Sequence, residues 1–283
     1  MIGITGASGQ LGRLILDKLS RRIDQTQLVA LVRNPKKGEA LAAQGFQFRL
    51  ADYDRPETLV DAFSGLTKVM LISGNEVGRR TPQHKAAIEA AKKAGVTFMA
   101  YTSILHADTS PLALAREHRE TESFLKESGI RHALLRNGWY TENYTAGIPA
   151  AIKSGSLFGC AGAGKISSAA REDYAEAAAV VLSQEGQAGR VYELAGDDGY
   201  TLAQLAAGIS QICGRHVAYK NLSEAEYAAV LQEAGLPGAF AQVLADSDSG
   251  ASQGGLFDDS HQLSKLIGRP TTPLAKMIEM FRG

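Results

Sequence analysis

The sequence has few cysteines and almost no tryptophan: 283 residues hold two of the first and one of the second. Cys160 and Cys213 lie far apart, and neither belongs to a Cys-x-x-Cys pair. That spacing argues against a disulfide framework or a structural zinc site and leaves two free thiols. Neither charge is in excess, with 30 basic and 30 acidic side chains and a pI near 7.0. Without a polybasic run, neither nucleic acid nor an anionic membrane is an expected partner. No apolar stretch approaches the ~18 residues that span a bilayer. Residues 1–5 read as a strand rather than the charged and apolar regions of a signal peptide, so a cytoplasmic protein is expected. The sequence also lacks a Gly-x-Ser-x-Gly elbow, a metal-ligand cluster and a Walker lysine motif, which removes serine hydrolases, metalloenzymes and P-loop nucleotidases.

What is present is an alternation of short apolar runs and amphipathic stretches. Residues 2–5 form a strand, and Leu11, Leu14, Ile15 and Leu19 follow at helical spacing. The run Leu28-Val29-Ala30-Leu31-Val32 suits a strand covered on both faces. Helices are predicted over 35–45, 56–63 and 82–94, and strands over 46–50, 69–72, 97–102 and 132–136. Ser110 and Pro111 form a cap and first-turn pair, predicting a further helix over 110–128. Six strands with helices between them predict an α/β fold with a doubly wound parallel sheet. After residue 137 the rhythm becomes helical, with capping boxes at Thr201…Gln204 and Ser223…Glu226. Short strands are expected at 165–169 and 191–194, and a glycine-rich loop at 249–255. Residues 1–145 are read as one domain, to which about 165–195 returns. Residues 146–283 are read as a smaller, α-rich, substrate-binding lobe.

Gly6-Ala7-Ser8-Gly9-Gln10-Leu11-Gly12 follows the first strand and opens the first helix. In that context the glycine pattern signals a Rossmann-type dinucleotide site. Gly6 permits a tight turn, Gly9 leaves room for pyrophosphate, and Gly12 allows close helix packing. The helix N-terminus offers amides and partial positive charge to phosphate. An NAD site usually places a carboxylate at the end of the second strand, but here that strand ends in Arg33-Asn34-Pro35-Lys36-Lys37. A guanidinium suits a phosphate better than a hydroxyl, so NADP(H) is the expected cofactor and Arg33 its clamp. Asp52 ends the third strand and reads equally well as an adenine contact or a turn cap. Ser73, Gly74 and Asn75 end the fourth strand at the edge where such folds bind ligands. The same edge, after the sixth strand, carries Asn137-Gly138-Trp139-Tyr140-Thr141-Glu142-Asn143-Tyr144.

These residues resemble the NmrA-like branch of the atypical short-chain dehydrogenase/reductase family. The likeness is carried by Thr5-Gly6-Ala7-Ser8-Gly9-Gln10-Leu11-Gly12, Leu31-Val32-Arg33-Asn34-Pro35, Ala51-Asp52-Tyr53, Tyr101-Thr102-Ser103, Leu135-Arg136-Asn137-Gly138-Trp139-Tyr140, Val191-Tyr192-Glu193-Leu194-Ala195-Gly196 and Leu266-Ile267-Gly268-Arg269-Pro270. It extends over essentially the whole chain and is strongest to quinone-reducing members. It implies that Asn137, Gly138, Trp139, Tyr140, Thr141 and Glu142 flank the nicotinamide half of NADP(H). Tyr140 and Asn143 are then the candidate donors to an acceptor. Typical members carry Tyr-x-x-x-Lys on the helix after the fifth strand. Aligned on Glu122, those two positions hold Leu114 and His118.

Leucine transfers no proton, which argues against alcohol–ketone chemistry. Direct hydride transfer to a quinone, without flavin, needs little acid help and is the expected activity. Ser103 is left to orient ligand or water, and His118 is expected in the core or behind the site. A second reading is a non-catalytic NADP(H)-binding redox sensor acting through a protein partner, since it too needs no tyrosine or lysine. Both a monomer and a homodimer are compatible with the sequence.

Overall fold

The continuous apolar run at 28–32 is buried at every position, because helices cover both faces of its sheet. The computed structural model describes residues 1–282. In chain order, β1 (Ile2–Ile4), α1 (Gln10–Ser20), β2 (Leu28–Val32), α2 (Pro35–Ala42), β3 (Gln47–Leu50), α3 (Glu57–Phe63), β4 (Lys68–Leu71), α4 (Arg80–Lys93), β5 (Phe98–Ile104), α5 (Ala115–Ser128) and β6 (Arg131–Asn137) alternate. Then come α6 (Glu142–Thr145), α7 (Ile148–Ser154), β7 (Ser156–Gly159), α8 (Arg171–Ser183) and β8 (Val191–Leu194). The chain continues through α9 (Leu202–Cys213), β9 (Ala218–Asn221), α10 (Glu224–Glu233), α11 (Gly238–Ser252), α12 (Gln262–Ile267) and α13 (Leu274–Phe281).

Seven strands form one sheet in the order β3-β2-β1-β4-β5-β6-β8. β1 pairs in parallel with both β2 and β4, so the winding direction reverses there and opens a crevice at the strands' carboxyl ends. The seventh strand, β8, extends the sheet beyond the six expected as its framework. Its amino end accepts Leu134 N–H at Arg190 O, 2.9 Å. Alternate residues Val29, Leu31, Val69, Leu71, Met99 and Tyr101 build one core with Leu59, Phe63, Ala87, Ile88 and Leu125 from α3, α4 and α5. Helices α1 and α8 cover the other face. They are joined by Lys18–Glu172 at 2.6 Å and by Arg22–Glu176.

Two compact units emerge from this chain. The first comprises Met1–Ala107, Arg116–Asn137 and Arg171–Tyr192. The second comprises Asp108–Ala115, Gly138–Ala170 and the residues from Glu193 on. The sequence reading gave residues 1–145 and about 165–195 to one domain and the remainder of 146–283 to the other; by its contacts the chain crosses between the two units five times. Within the second unit β7 pairs with β9, and both expected capping boxes form on α9 and α10. Asp248 lies buried on α11, accepting Tyr144 O–H at 2.7 Å and Cys160 N–H at 3.1 Å. Burial pushes its carboxyl up to about 6.

Three local expectations need correction. The helix predicted over 110–128 starts only at Ala115. The preceding segment docks on α11 instead: Asp246 Oδ2 accepts Ala113 N–H at 3.0 Å, and the Leu112 side chain lies against Gly250 and Gly255. Residues 249–252, read as loop, complete α11, because the buried Ser247, Asp248, Gly250 and Ala251 form a small-residue face for close packing. The strand expected at 165–169 is reduced to two isolated bridges, Ile166 with Tyr200 and Ala169 with Tyr140.

One buried ion pair ties α5 to the sheet. Arg136 Nε and Nη2 donate to the two Glu122 oxygens at 3.0 and 2.6 Å, and the Ser103 hydroxyl donates to the same carboxylate. The donor of Ser103 is thereby spent on a bond within the protein. Removing one partner of a buried pair strands the other charge. Glu122→Ala is therefore expected to cost about 3–5 kcal/mol, read as a lower urea midpoint. An unchanged midpoint would mean the pair contributes nothing.

Candidate functional site

The turn after β1 is built by close backbone approach. Gly6 adopts φ +58°, a region that disfavours side chains. A Cβ on Gly12 would stand 2.4 Å from Gly6 O and 2.7 Å from Ala7 Cα. Helix α1 thus begins against the turn itself, a closer contact than the helix-to-sheet packing expected of Gly12. The first helical bond runs from Arg13 N–H to Gly9 O at 3.1 Å, and no side chain caps the helix. The amides of Gln10, Leu11 and Gly12 therefore precede the hydrogen-bond ladder and point out of it. Gly6, Gly9 and Gln10 are exposed, whereas Ala7 and Leu11 are buried. Ala7 N–H is spent on Leu31 O at 3.3 Å, which fastens the turn to β2. Gly9 has only Gly6 O near its missing Cβ, at 3.2 Å, so space opens beyond it. An exposed, uncapped helix start with glycine at its entry is a cradle that fits a pyrophosphate.

Arg33 stands exposed at the end of β2, next to β1 in the sheet. Its Nη1 donates to Glu76 Oε1 at 2.9 Å, and this carboxylate raises the guanidinium pKa further. Asp52, at the end of β3, uses Oδ1 to accept Asp54 N–H at 3.1 Å, so in this structure it caps its own turn. After β4, the backbone of Ser73 and Gly74 is pinned. Ser73 N–H donates to Thr102 Oγ1 at 2.8 Å, and Gly74 N–H donates to His84 Nε2 at 3.0 Å. Arg80 Nε donates to Gly74 O. Asn75 is exposed beside them. Since His84 Nε2 is an acceptor, Nδ1 carries the proton and donates to Thr121 Oγ1 at 3.0 Å. Burial, with Arg80 nearby, pushes the His84 imidazole down to about 3, so it is neutral. Glu117 of α5 accepts Gly78 N–H at 3.1 Å with both oxygens and Arg80 N–H at 3.2 Å, capping the start of α4.

Asn137 closes this edge at the end of β6. It is 6% exposed, and its Oδ1 has no hydrogen-bond partner among the described residues. A buried acceptor in that condition suits a donor brought by a ligand. Gly138, Trp139, Tyr140, Thr141, Glu142 and Asn143 belong to the second unit. There Trp139, Tyr140, Glu142 and Asn143 are partly exposed. Thr141 is 2% exposed and bonded to Ser168 Oγ at 2.8 Å, a packing role. The segment is fastened by Ala169 N–H to Trp139 O at 3.1 Å and Thr141 N–H to Ala169 O at 2.9 Å. His118 is in the core, with Nδ1 2.7 Å from Tyr101 Oη, and burial lowers its pKa well below the ordinary value.

Sequence reasoning missed Glu76, His84, Thr102 and Glu117. Thr102 was quoted only as part of the family likeness and the other three sit in no motif; each acts on residues 10 to 43 positions away. No cluster of metal-ligating side chains exists among the described residues, and no helix there is long and apolar enough to cross a membrane.

A parallel sheet with a glycine turn, an uncapped helix start and a basic residue after β2, all at the β1/β4 crevice, defines a dinucleotide-binding α/β protein. Comparison with known proteins places it more narrowly. The chain belongs to an NAD(P)H-binding family, which it matches over residues 6–185. It is 58% identical over 278 residues to quinone oxidoreductase 2 of Escherichia coli (strain K12), covering 98% of this chain and 97% of that protein. The structure of an Escherichia coli NADPH-dependent quinone oxidoreductase complexed with NADPH superposes with a TM-score of 0.97 at 57% identity, covering both chains fully. The Citrobacter sp. triphenylmethane reductase complexed with NADP(H) gives 0.95 at 36% identity over 99% of each chain.

Two measurements probe this geometry. Gly12→Ala drives a methyl into the Gly6 carbonyl, so dinucleotide binding is expected to weaken roughly tenfold or more; titration at unchanged affinity would contradict the close-approach argument. His84 is neutral when folded but titrates near ~6.5 when unfolded. Its stabilising contribution is therefore complete above that pH and is lost as pH falls towards about 3. The urea midpoint should drop between pH 7 and pH 5, and drop less in His84→Gln. Identical pH slopes for the two proteins would rule out the buried neutral imidazole as a cause.

Proposed function

We propose that this chain is an NADPH-dependent reductase that passes hydride directly to quinones. The observation that carries the reading is the guanidinium of Arg33 beside the glycine turn, in a chain so similar to an NADPH-bound quinone oxidoreductase. Bound NADPH supplies the hydride from its nicotinamide ring. The chain's own contribution is positioning and electrostatics. The free amides at the start of α1 receive the pyrophosphate, and Arg33 receives the 2′-phosphate through charge-assisted bonds. Ser73, Gly74 and Asn75 support the cofactor with a backbone held by Thr102 and His84. Asn137 offers its unsatisfied Oδ1 to the nicotinamide half. Gly138, Trp139 and Glu142 are assigned to that half as well, whereas Thr141 is spent on packing against Ser168.

Tyr140 and Asn143 are the proposed donors to the acceptor oxygen. Leu114 stands where typical relatives place tyrosine, so no tyrosinate supplies a proton. A quinone tolerates this because the charge gained on hydride transfer spreads over conjugated oxygens. Hydrogen-bond donors aimed at such an oxygen lower the barrier most.

The test is anaerobic oxidation of NADPH against a quinone panel, with NADH as control. Turnover preferring NADPH is expected. Arg33→Ala should raise the KM for NADPH roughly 10–100-fold, as expected for a lost hydrogen bond to a charged group, and leave NADH nearly untouched. Tyr140→Phe and Asn143→Ala should lower kcat with little effect on the KM for NADPH. Tight NADPH binding without turnover on any quinone would overturn the reading.

A further inference from the structure

Arg33 already faces an anion supplied by the chain itself. Glu76 lies on the segment after β4, and its Oε1 accepts from Arg33 Nη1 at 2.9 Å. The other oxygen, Oε2, accepts from Arg79 Nη1 and Gln83 Nε2, each at 3.2 Å. Both of those donors are held in turn by Asp54, Arg79 at 2.8 Å and Gln83 at 3.0 Å. Gln83 is buried on α4. Glu76 is thus clamped from behind while one oxygen meets the exposed guanidinium. The two arginines and two carboxylates of this cluster balance in charge. A phosphate dianion arriving at Arg33 meets a neutral group, not a bare cation. Only one of five guanidinium donors is taken by Glu76, so the arginine can be shared, but the carboxylate opposes the incoming charge. A carboxylate beside the adenosine ribose is also the group that accepts a 2′-hydroxyl in NAD sites.

We propose that Glu76 sets the cofactor selectivity of this site: it is the resident counter-ion of Arg33, with which the 2′-phosphate of NADPH must compete, and it moderates the preference for NADPH over NADH. This rests on the reading that Arg33 binds the 2′-phosphate. The cost of the competition falls on NADPH alone, since NADH brings no charge to this arginine.

Dissociation constants for NADPH and NADH are measured on the intact chain, its Glu76→Gln and Arg33→Ala variants, and the double variant. Glutamine keeps the shape and one acceptor oxygen. In Glu76→Gln the NADH-to-NADPH ratio of dissociation constants should rise roughly threefold to fivefold, the scale of an exposed ion pair, and the gain should shrink at high salt. The same substitution should change NADPH affinity less in the Arg33→Ala background. An unchanged or smaller ratio in Glu76→Gln overturns the proposal; a smaller one would make Glu76 a positioning group for Arg33. If Arg33→Ala leaves NADPH affinity intact, the underlying assignment of the 2′-phosphate fails as well. If Arg33→Ala weakens NADPH selectively while Glu76→Gln alters nothing, only the role of Glu76 falls.

Discussion

Helix α1 starts in contact with the turn that leaves β1, and that contact tolerates no side chain at residue 12. Much of the first unit's ligand-facing edge depends on this approach. The turn is tied to β2 through Ala7 and Leu31, which sets Arg33 next to it. It is tied to β4 through the Thr5 hydroxyl, which accepts Ile72 N–H at 2.9 Å and sets the Ser73–Asn75 backbone on the other side. One glycine contact therefore gathers the helix amides, the basic residue and the β4 segment at a single crevice. A larger residue at position 12 would push α1 away and aim its amides elsewhere.

The helix that carries the catalytic pair in typical relatives serves architecture here. Glu117 caps α4, Thr121 meets His84, Glu122 pairs with Arg136, and His118 meets Tyr101. Burial keeps both imidazoles neutral, so they act as directional bonds rather than charges. The physical effect is to stiffen the β4 segment from behind. Chemistry that needs no tyrosinate frees α5 for that duty, which is consistent with an acceptor that stabilises its own negative charge.

Electrostatics at the cofactor edge follows the same logic of internal pairing. Arg33, Glu76, Arg79 and Asp54 neutralise one another before any ligand binds. Exposed pairs of this kind contribute little to folding, being screened by solvent. Their consequence lies in charge balance, because any anion approaching Arg33 meets a network that is already neutral.

The alternation of apolar runs and helical spacing was enough to read the parallel sheet, since each strand and helix must bury its own apolar face. The glycine turn was equally legible: its function depends on neighbours within one turn of chain, and so did the capping boxes at Thr201 and Ser223. The Ser110-Pro111 signal misled because a local cap competes with long-range docking, and Asp246 with Gly250 and Gly255 won that segment. The glycine-rich stretch at 249–252 misled for the converse reason, as small residues that look like loop are what a closely packed helix needs. Glu76, His84 and Glu117 were illegible in the sequence. Their partners come from other strands and helices, and only folding brings a carboxylate to an arginine 43 residues away. The sequence alone determined the sheet, the glycine cradle and the basic residue that follows β2, because those follow from local spacing. The tertiary structure decided which groups hold the cradle and which anion the arginine meets first, because those depend on strand order across the sheet.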